Sequence, residues 1–241
     1  MNVLIVTPTY NERENLPVLA AGVLKHDGAR MLVVDDGSPD GTGQIADQLA
    51  AQHPGRVEVM HRTGPRGLGR SYVDGLLHAI QERRADFICQ MDADLSHNPE
   101  YLPELVKAAA TNDLVIGSRY LHGVSVVNWP LHRIFLSAFG NRYIRFITSL
   151  SASDCTSGYR CWRREALARM PIADMVSDGY SFLVEMLFVA HRRGCRIAEV
   201  PITFVERRQG ESKLTRAVLL ESALMPWRLA LSRKTAPPPS R

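Results

Sequence analysis

The stretch FICQMDADLSHNP, residues 87–99, runs an apolar segment directly into two aspartates, Asp92 and Asp94, one residue apart. The segment DFICQMD (86–92) reads as a buried strand. On an extended strand, carboxylates at i and i+2 point to the same side. Two like charges held close in a cleft repel, so one must protonate or a cation must sit between them. Mg²⁺ or Mn²⁺ suits such a place, because these ions take oxygen ligands, commonly one or two carboxylates plus substrate phosphates. A solvated turn carrying two exposed acids is the competing reading, and D-x-D alone does not separate the two.

The surroundings give the fold. NVLIV (2–6), RMLVVDDGS (30–38), VEVMH (57–61) and DLVIGSRY (113–120) also read as strands. Between them, ENLPVLAAGVL (14–24), SPDGTGQIADQLAAQH (38–53, a turn then a helix), LGRSYVDGLLHAIQER (68–83) and NPEYLPELVKAAA (98–110) carry helical patterns. Strands alternating with helices predict an α/β fold with a mostly parallel sheet. In such sheets ligands bind at the carboxyl ends of the strands. PTYNE, DDGSPDGT, DADLSH and GSRY all fall at such ends. Ser38, Asp40 and Thr42 are candidates to cap the second helix.

Several classes are disfavoured. No G-x-G-x-x-G follows the first strand, and GPRGLGRS (64–71) is not a phosphate-binding P-loop. The four cysteines show no C-x-x-C spacing and read as reduced thiols. The amino terminus reads as a first strand and not as a leader. Hydrophobic residues make up 45% and charged residues 22%, which allows an ordinary core. The net charge of +4 is uneven: residues 1–119 carry −5, 120–153 carry +3, 154–203 carry +1 and 204–241 carry +5. An acidic half able to hold a metal thus adjoins a basic half able to hold phosphate or an anionic surface. No nucleic-acid motif accompanies the basic residues, so nucleic acid is not expected as a partner.

NWPLHRIFLSAFGNRYIRFITSL (128–150) reads as a helix with Phe135, Phe139, Tyr143, Phe146 and Leu150 on one face. Arg133, Ser137, Asn141 and Arg145 recur every four residues on another. GESKLTRAVLLESALMPWRLALSRK (210–234) reads as a second amphipathic segment, and TAPPPSR as a disordered tail. Packed core helices and basic helices lying on an anionic lipid surface both remain open for these segments.

PTYNERENL, VVDDGSPDGT, GLGRSYVDGL, MDADLSHNP, IGSRY, DGYSFLVEM and EVPITFVERRQGESKL stand in this order. The ordered set resembles glycosyltransferase family 2, with its GT-A fold, and within it the polyprenyl-phosphate mannose synthases. The resemblance implies a catalytic domain over 1–216, an amphipathic helix over 217–234 at a membrane surface, and a tail over 235–241. It implies transfer of mannose, with inversion, from GDP-mannose to a polyprenyl or dolichyl phosphate, assisted by Mg²⁺ or Mn²⁺. The enzyme is expected to be cytoplasmic, peripheral on the cytoplasmic face of a membrane, with room for a membrane-anchoring partner protein. Pro8, Tyr10, Glu12, Val33 and Asp35 are implied at the nucleotide. Asp92, Ala93 and Asp94 are implied at the sugar nucleotide, Asp92 and Asp94 as metal ligands, and Ser96 stands where some relatives place a glutamine. Arg119, Arg207 and Lys213 are implied around the phosphates. Arg119, Arg133 and Ser137 are implied at the acceptor phosphate, making Asp94, Arg119 and Arg133 the expected catalytic set. Two alternatives remain: a family 2 transferase using a UDP-sugar, such as a polyprenyl-phosphate glucosyltransferase, and a sugar-phosphate nucleotidyltransferase. The latter normally needs a glycine-rich basic loop after the first strand, where TPTYNE stands instead.

Overall fold

A computed structural model describes residues 2–175, 177, 179–205 and 216–231. In chain order the first half is β1 (Val3–Thr9), α1 (Asn15–Leu24), β2 (Ala29–Asp35), α2 (Thr42–Gln52), β3 (Val57–His61), α3 (Leu68–Gln81), β4 (Phe87–Gln90), α4 (Leu102–Ala109) and β5 (Leu114–Ser118). There follow β6 (Val126–Val127), α5 (Leu131–Thr148), β7 (Arg160–Arg163), α6 (Arg164–Ala168), α7 (Gly179–Arg192), β8 (Ile197–Pro201), β9 (Phe204–Val205) and α8 (Arg216–Leu231).

Seven strands form one sheet in the order β3-β2-β1-β4-β7-β5-β8, all parallel except β7, which runs antiparallel to both β4 and β5. A small second sheet pairs β6 with β9. Alternate residues of β1 feed opposite faces of the main sheet. Leu4 and Val6 pack with Tyr72, Leu76, Trp162 and Phe182, whereas Val3 and Ile5 pack with Leu16, Leu19, Leu102 and Leu105. Burial on both faces explains why β1 and β2 read as continuous apolar runs with no polar alternation. At Gly75 a Cβ would lie 2.7 Å from Val6 Cγ1 and 2.8 Å from Val34 Cγ2. Only glycine lets α3 sit that close to the sheet.

The α/β architecture with a mostly parallel sheet is the one expected, with several differences. β4 ends at Gln90, so Asp92 and Asp94 stand in the loop beyond it and not on an extended strand. The loop turns sharply at Leu95, whose φ is 63°. Strand β7 escaped the sequence reading, because four residues beginning and ending in arginine carry no strand period. α2 begins after Gly41, and Asp40 is the side chain that accepts from its first turn, through Thr42 N at 3.0 Å.

The helix expected over 128–150 is α5, and its aromatic face is not core. Phe135, Phe139 and Phe146 are 71%, 68% and 85% exposed, while Asn141, Ile144 and Thr148 are the buried residues. α5 packs against α8, where Trp227 Nε1 donates to Tyr143 Oη at 2.9 Å and Tyr143 Oη donates to Ala223 O at 2.7 Å. The apolar residues of α8 are divided between buried Met225 and Leu229 and exposed Leu224, Trp227 and Leu231. The expected tail over 235–241 lies outside the described residues.

Candidate active site at the carboxyl ends of the strands

The loop after β4 is fastened from three sides. Ser96 donates to Asp94 Oδ1 through its backbone N at 3.1 Å and its Oγ at 2.5 Å. Tyr72 of α3 donates its hydroxyl to Asp92 Oδ1 at 2.7 Å. Burial first, and the Asp92 charge next, push that hydroxyl well above its usual range, so it stays a donor. Buried His97 accepts from Asp92 N through Nδ1 at 3.0 Å and stacks on Tyr159, with ring centroids 5.1 Å apart. Gly158 closes the third side: a Cβ there would lie 3.2 Å from both Asp92 Oδ2 and His97 Cε1.

Asp92 and Asp94 suit a divalent cation by their chemistry, being hard oxygen donors in one short loop. Among the described residues no cluster of three His, Cys, Asp or Glu side chains could hold a metal. Two carboxylates therefore fit Mg²⁺ or Mn²⁺ when diphosphate oxygens complete the shell, as these ions commonly require.

The expected nucleotide residues lie at the ends of β1 and β2, side by side in register from Val3↔Ala29 to Thr9↔Asp35. Buried Asp35 accepts from Thr9 Oγ1 at 3.1 Å and from Ser38 Oγ at 2.6 Å. Its neighbour Asp36 is bound to Arg62 and accepts from Gly67 N at 2.8 Å, which fixes the loop before α3. Tyr10 carries the Arg66 guanidinium 5.0 Å above its ring. Glu12 ties the turn after β1, donating its N to Thr42 Oγ1 and accepting from Asn15 Nδ2. Pro8 is buried in β1. Val33 and Ala93 turn their side chains into the core and can offer a ligand only backbone.

Of the residues expected at the acceptor phosphate, Arg119 and Arg133 share the Trp129 ring, and Arg119 and Ser137 share Tyr120. Arg119, at the end of β5, grips fully buried Asp154 through Nε to Oδ2 at 2.6 Å and Nη2 to Oδ1 at 2.7 Å, and Nη2 also donates to Thr156 Oγ1 at 2.8 Å. Burial works to raise the Asp154 carboxyl, but the Arg119 charge and the hydrogen bonds from Arg119 and Thr156 together outweigh it and hold it below the usual carboxylate range. The same guanidinium lies 5.4 Å from the ring centroids of Tyr120 and Phe204 and 5.6 Å from that of Trp129. Arg133, in the first turn of α5, sits 4.2 Å from the Trp129 centroid. One turn on, Ser137 Oγ accepts from Tyr120 Oη at 2.7 Å. Arg207 and Lys213 lie outside the described residues.

Sequence reasoning missed Asp154, Tyr72 and Asn141, whose roles depend on contacts far along the chain. Asn141 Oδ1 accepts from Cys155 N at 2.7 Å, which joins α5 to the loop that grips Arg119. Arg160, fully buried beneath this loop, is held by backbone carbonyls. It donates to the carbonyls of Ser157, Leu183 and Cys155, and burial pushes it down to about 10.

The family model described as glycosyl transferase family 2 matches residues 4–170. An undecaprenyl-phosphate mannosyltransferase of Micrococcus luteus is 46% identical over 236 residues, covering 97% of this chain and 96% of the relative. A polyprenol monophosphomannose synthase of Mycolicibacterium smegmatis is 46% identical over 222 residues, covering 91% and 83%. Among solved structures, glucosyl-3-phosphoglycerate synthase from Mycobacterium tuberculosis, in complex with Mn²⁺, UDP and glucosyl-3-phosphoglycerate, aligns with a TM-score of 0.67. Its identity is 18%, over 99% of this chain and 81% of that one. At that identity the likeness concerns the fold.

Proposed function

This chain belongs to glycosyltransferase family 2, and from that premise we propose that it transfers mannose from GDP-mannose to a polyprenyl phosphate. The observation that carries the reading is the meeting of Arg119, Arg133 and Ser137 around Trp129 and Tyr120, with the nearest carboxylate already spent. Asp154 is neutralised by Arg119, which makes it a poor proton acceptor. A hydroxyl acceptor needs a general base. A phosphate monoester does not, since its second pKa is about 6. The cationic, aromatic-lined acceptor side therefore suits an acceptor that arrives as an anion.

In the proposed reaction a phosphate oxygen of the lipid attacks the anomeric carbon in line with the departing diphosphate. The new C–O bond forms as the bond to the diphosphate breaks, GDP leaves with the electron pair, and the anomeric centre inverts. No proton need move. Arg119 and Arg133 hold the lipid phosphate, and Arg207 and Lys213 are assigned to the diphosphate on sequence grounds. Asp92 and Asp94 would hold Mg²⁺ or Mn²⁺, which supplies electrostatic stabilisation to the leaving diphosphate when bound. Tyr72, Ser96 and His97 keep the two carboxylates in place.

No described helix is long and apolar enough to cross a membrane. The exposed phenylalanines of α5 adjoin exposed Arg142 and Arg145, with Trp227, Arg228 and Leu231 of α8 on the neighbouring helix. We assign this face to a bilayer surface, where the apolar side chains enter the interface and the arginines meet anionic headgroups.

The test incubates purified protein with labelled GDP-mannose, Mg²⁺ or Mn²⁺ and polyprenyl phosphate, followed by solvent extraction. Label is expected in the lipid phase, with a parallel panel of UDP-sugars giving little. D94A is expected to lose at least about a hundredfold in rate while melting like the parent. Equal transfer from a UDP-sugar would overturn the donor assignment, and an unchanged D94A rate would overturn the metal assignment.

A further inference from the structure

Trp129 stands in the link between β6 and α5, and three features fix its indole. Asn128 before it takes the left-handed region with φ at 64°, and Pro130 after it holds the extended entry to α5. Phe204 of β9 packs edge-on against it, with ring centroids 5.4 Å apart.

Both acceptor-side guanidiniums meet this one ring, Arg133 at 4.2 Å and Arg119 at 5.6 Å from its centroid. Two arginines drawn together repel each other, and an aromatic quadrupole beside both offsets part of that cost. Arg119 is further restrained, because Asp154 takes its Nε–Nη2 edge, the edge a phosphate would otherwise use bidentately. A phosphate bound here must therefore be shared with Arg133, so the placing of Arg133 relative to Arg119 governs acceptor binding. Trp129 is the rigid group that touches both. Its indole Nε1–H is buried and has no acceptor among the described residues, which leaves packing against the arginines and Phe204 as the visible reason for its orientation.

We infer that Trp129 is a positioning residue for the acceptor phosphate, holding Arg119 and Arg133 as a paired cationic seat. The inference rests on the acceptor role given above to Arg119 and Arg133.

The experiment measures KM for polyprenyl phosphate at saturating GDP-mannose, and KM for GDP-mannose at saturating lipid, in the parent, W129L, W129F and R133A. Thermal unfolding is recorded for each. W129L removes the π-face but keeps apolar bulk, and is expected to raise the acceptor KM about tenfold, with the donor KM within about twofold. W129F restores a ring and is expected to recover most of the loss, which an indole acting as inert filler would not require. F204L removes the ring bracing Trp129 and is expected to give a smaller rise of the same acceptor-selective kind. Should W129L fail to fold, W129M, which keeps apolar bulk without a π-face, takes its place, because Phe204 also faces Arg119 directly at 5.4 Å. An unchanged acceptor KM in W129L beside a raised one in R133A overturns the role of Trp129 and leaves the acceptor site standing. Equal damage to both substrates, or identical behaviour of W129L and W129F, also overturns it. An unchanged acceptor KM in R133A overturns the acceptor site itself, and the inference with it.

Discussion

D154N tests the grip on Arg119 most directly, because it keeps the shape of Asp154 and removes its charge. Asp154 is fully buried and accepts five hydrogen bonds from Arg119 and Thr156 groups within 3.3 Å, including Arg119 N at 3.1 Å. An asparagine can still accept from one side, but its amide hydrogens would face the donors of a guanidinium that is itself buried. Removing one partner of a buried ion pair costs about 3–5 kcal/mol, mostly because the surviving charge is left uncompensated. For a domain of this size that predicts a fall in Tm on the order of 10 °C. Removing both charges should cost less: R119M/D154N is expected to melt above D154N alone, a coupling no sum of independent contacts would give. The pH dependence has a fixed sign. The folded carboxyl titrates below the ordinary aspartate value of about 3.9, so its stabilising contribution is complete above that value. It is lost as pH falls through the lower folded pKa, so the gap between parent and D154N should be constant near neutrality and narrow below about pH 4. Calorimetry of the three proteins at pH 7 and pH 3.5 reads both effects. A D154N protein melting within about 1 °C of the parent at pH 7 would refute the claim that this ion pair organises the acceptor side.

Two further outcomes follow from the geometry. G158A sets a methyl group 3.2 Å from Asp92 Oδ2 and must displace that carboxylate or His97, so kcat/KM for GDP-mannose is expected to fall about tenfold; full activity would show that the loop need not press on Asp92. F135S/F139S/F146S strips the exposed face of α5 and is expected to weaken sedimentation with anionic vesicles at least about tenfold, since each buried phenylalanine contributes about 1.5–3 kcal/mol. Unchanged sedimentation would remove that face from the membrane contact.

The parallel half of the sheet was legible because its signals are local. Apolar runs such as VLIV and MLVV, each closing on polar residues at the ligand-binding edge, announce their strands within seven residues. The D-x-D acids were legible for the same reason, although the strand stops at Gln90 and the acids stand in a turn that Ser96 and Tyr72 shape. The α5 helix was legible as a helix but not as a surface. Phe135, Phe139 and Phe146 have core-like spacing, and only the position of α8 and the sheet shows that nothing among the described residues covers them. Val33 shows the converse limit: two residues before Asp35, it shares that residue's face of β2, yet its side chain is packed into the core and offers a ligand only backbone.

The least legible segment is the one that joins the two halves of the site. DCTSGYR, residues 154–160, has no period and no strong motif, yet each of its residues answers to a distant partner. Asp154 takes Arg119 from 35 positions away, Cys155 N is tied to Asn141 on α5, and Gly158 leaves the room that Asp92 occupies. Beneath them Arg160 gathers the carbonyls of Cys155 and Ser157 into its guanidinium, and at about 10 it remains charged at neutral pH. A buried cation whose hydrogen bonds among the described residues all go to carbonyls is costly to desolvate. Its return is a loop whose backbone is fixed from inside, with Asp92 on one flank and Arg119 on the other. Displacement of this loop would therefore move Asp92 and Arg119 together, and with them the donor and acceptor sites proposed above.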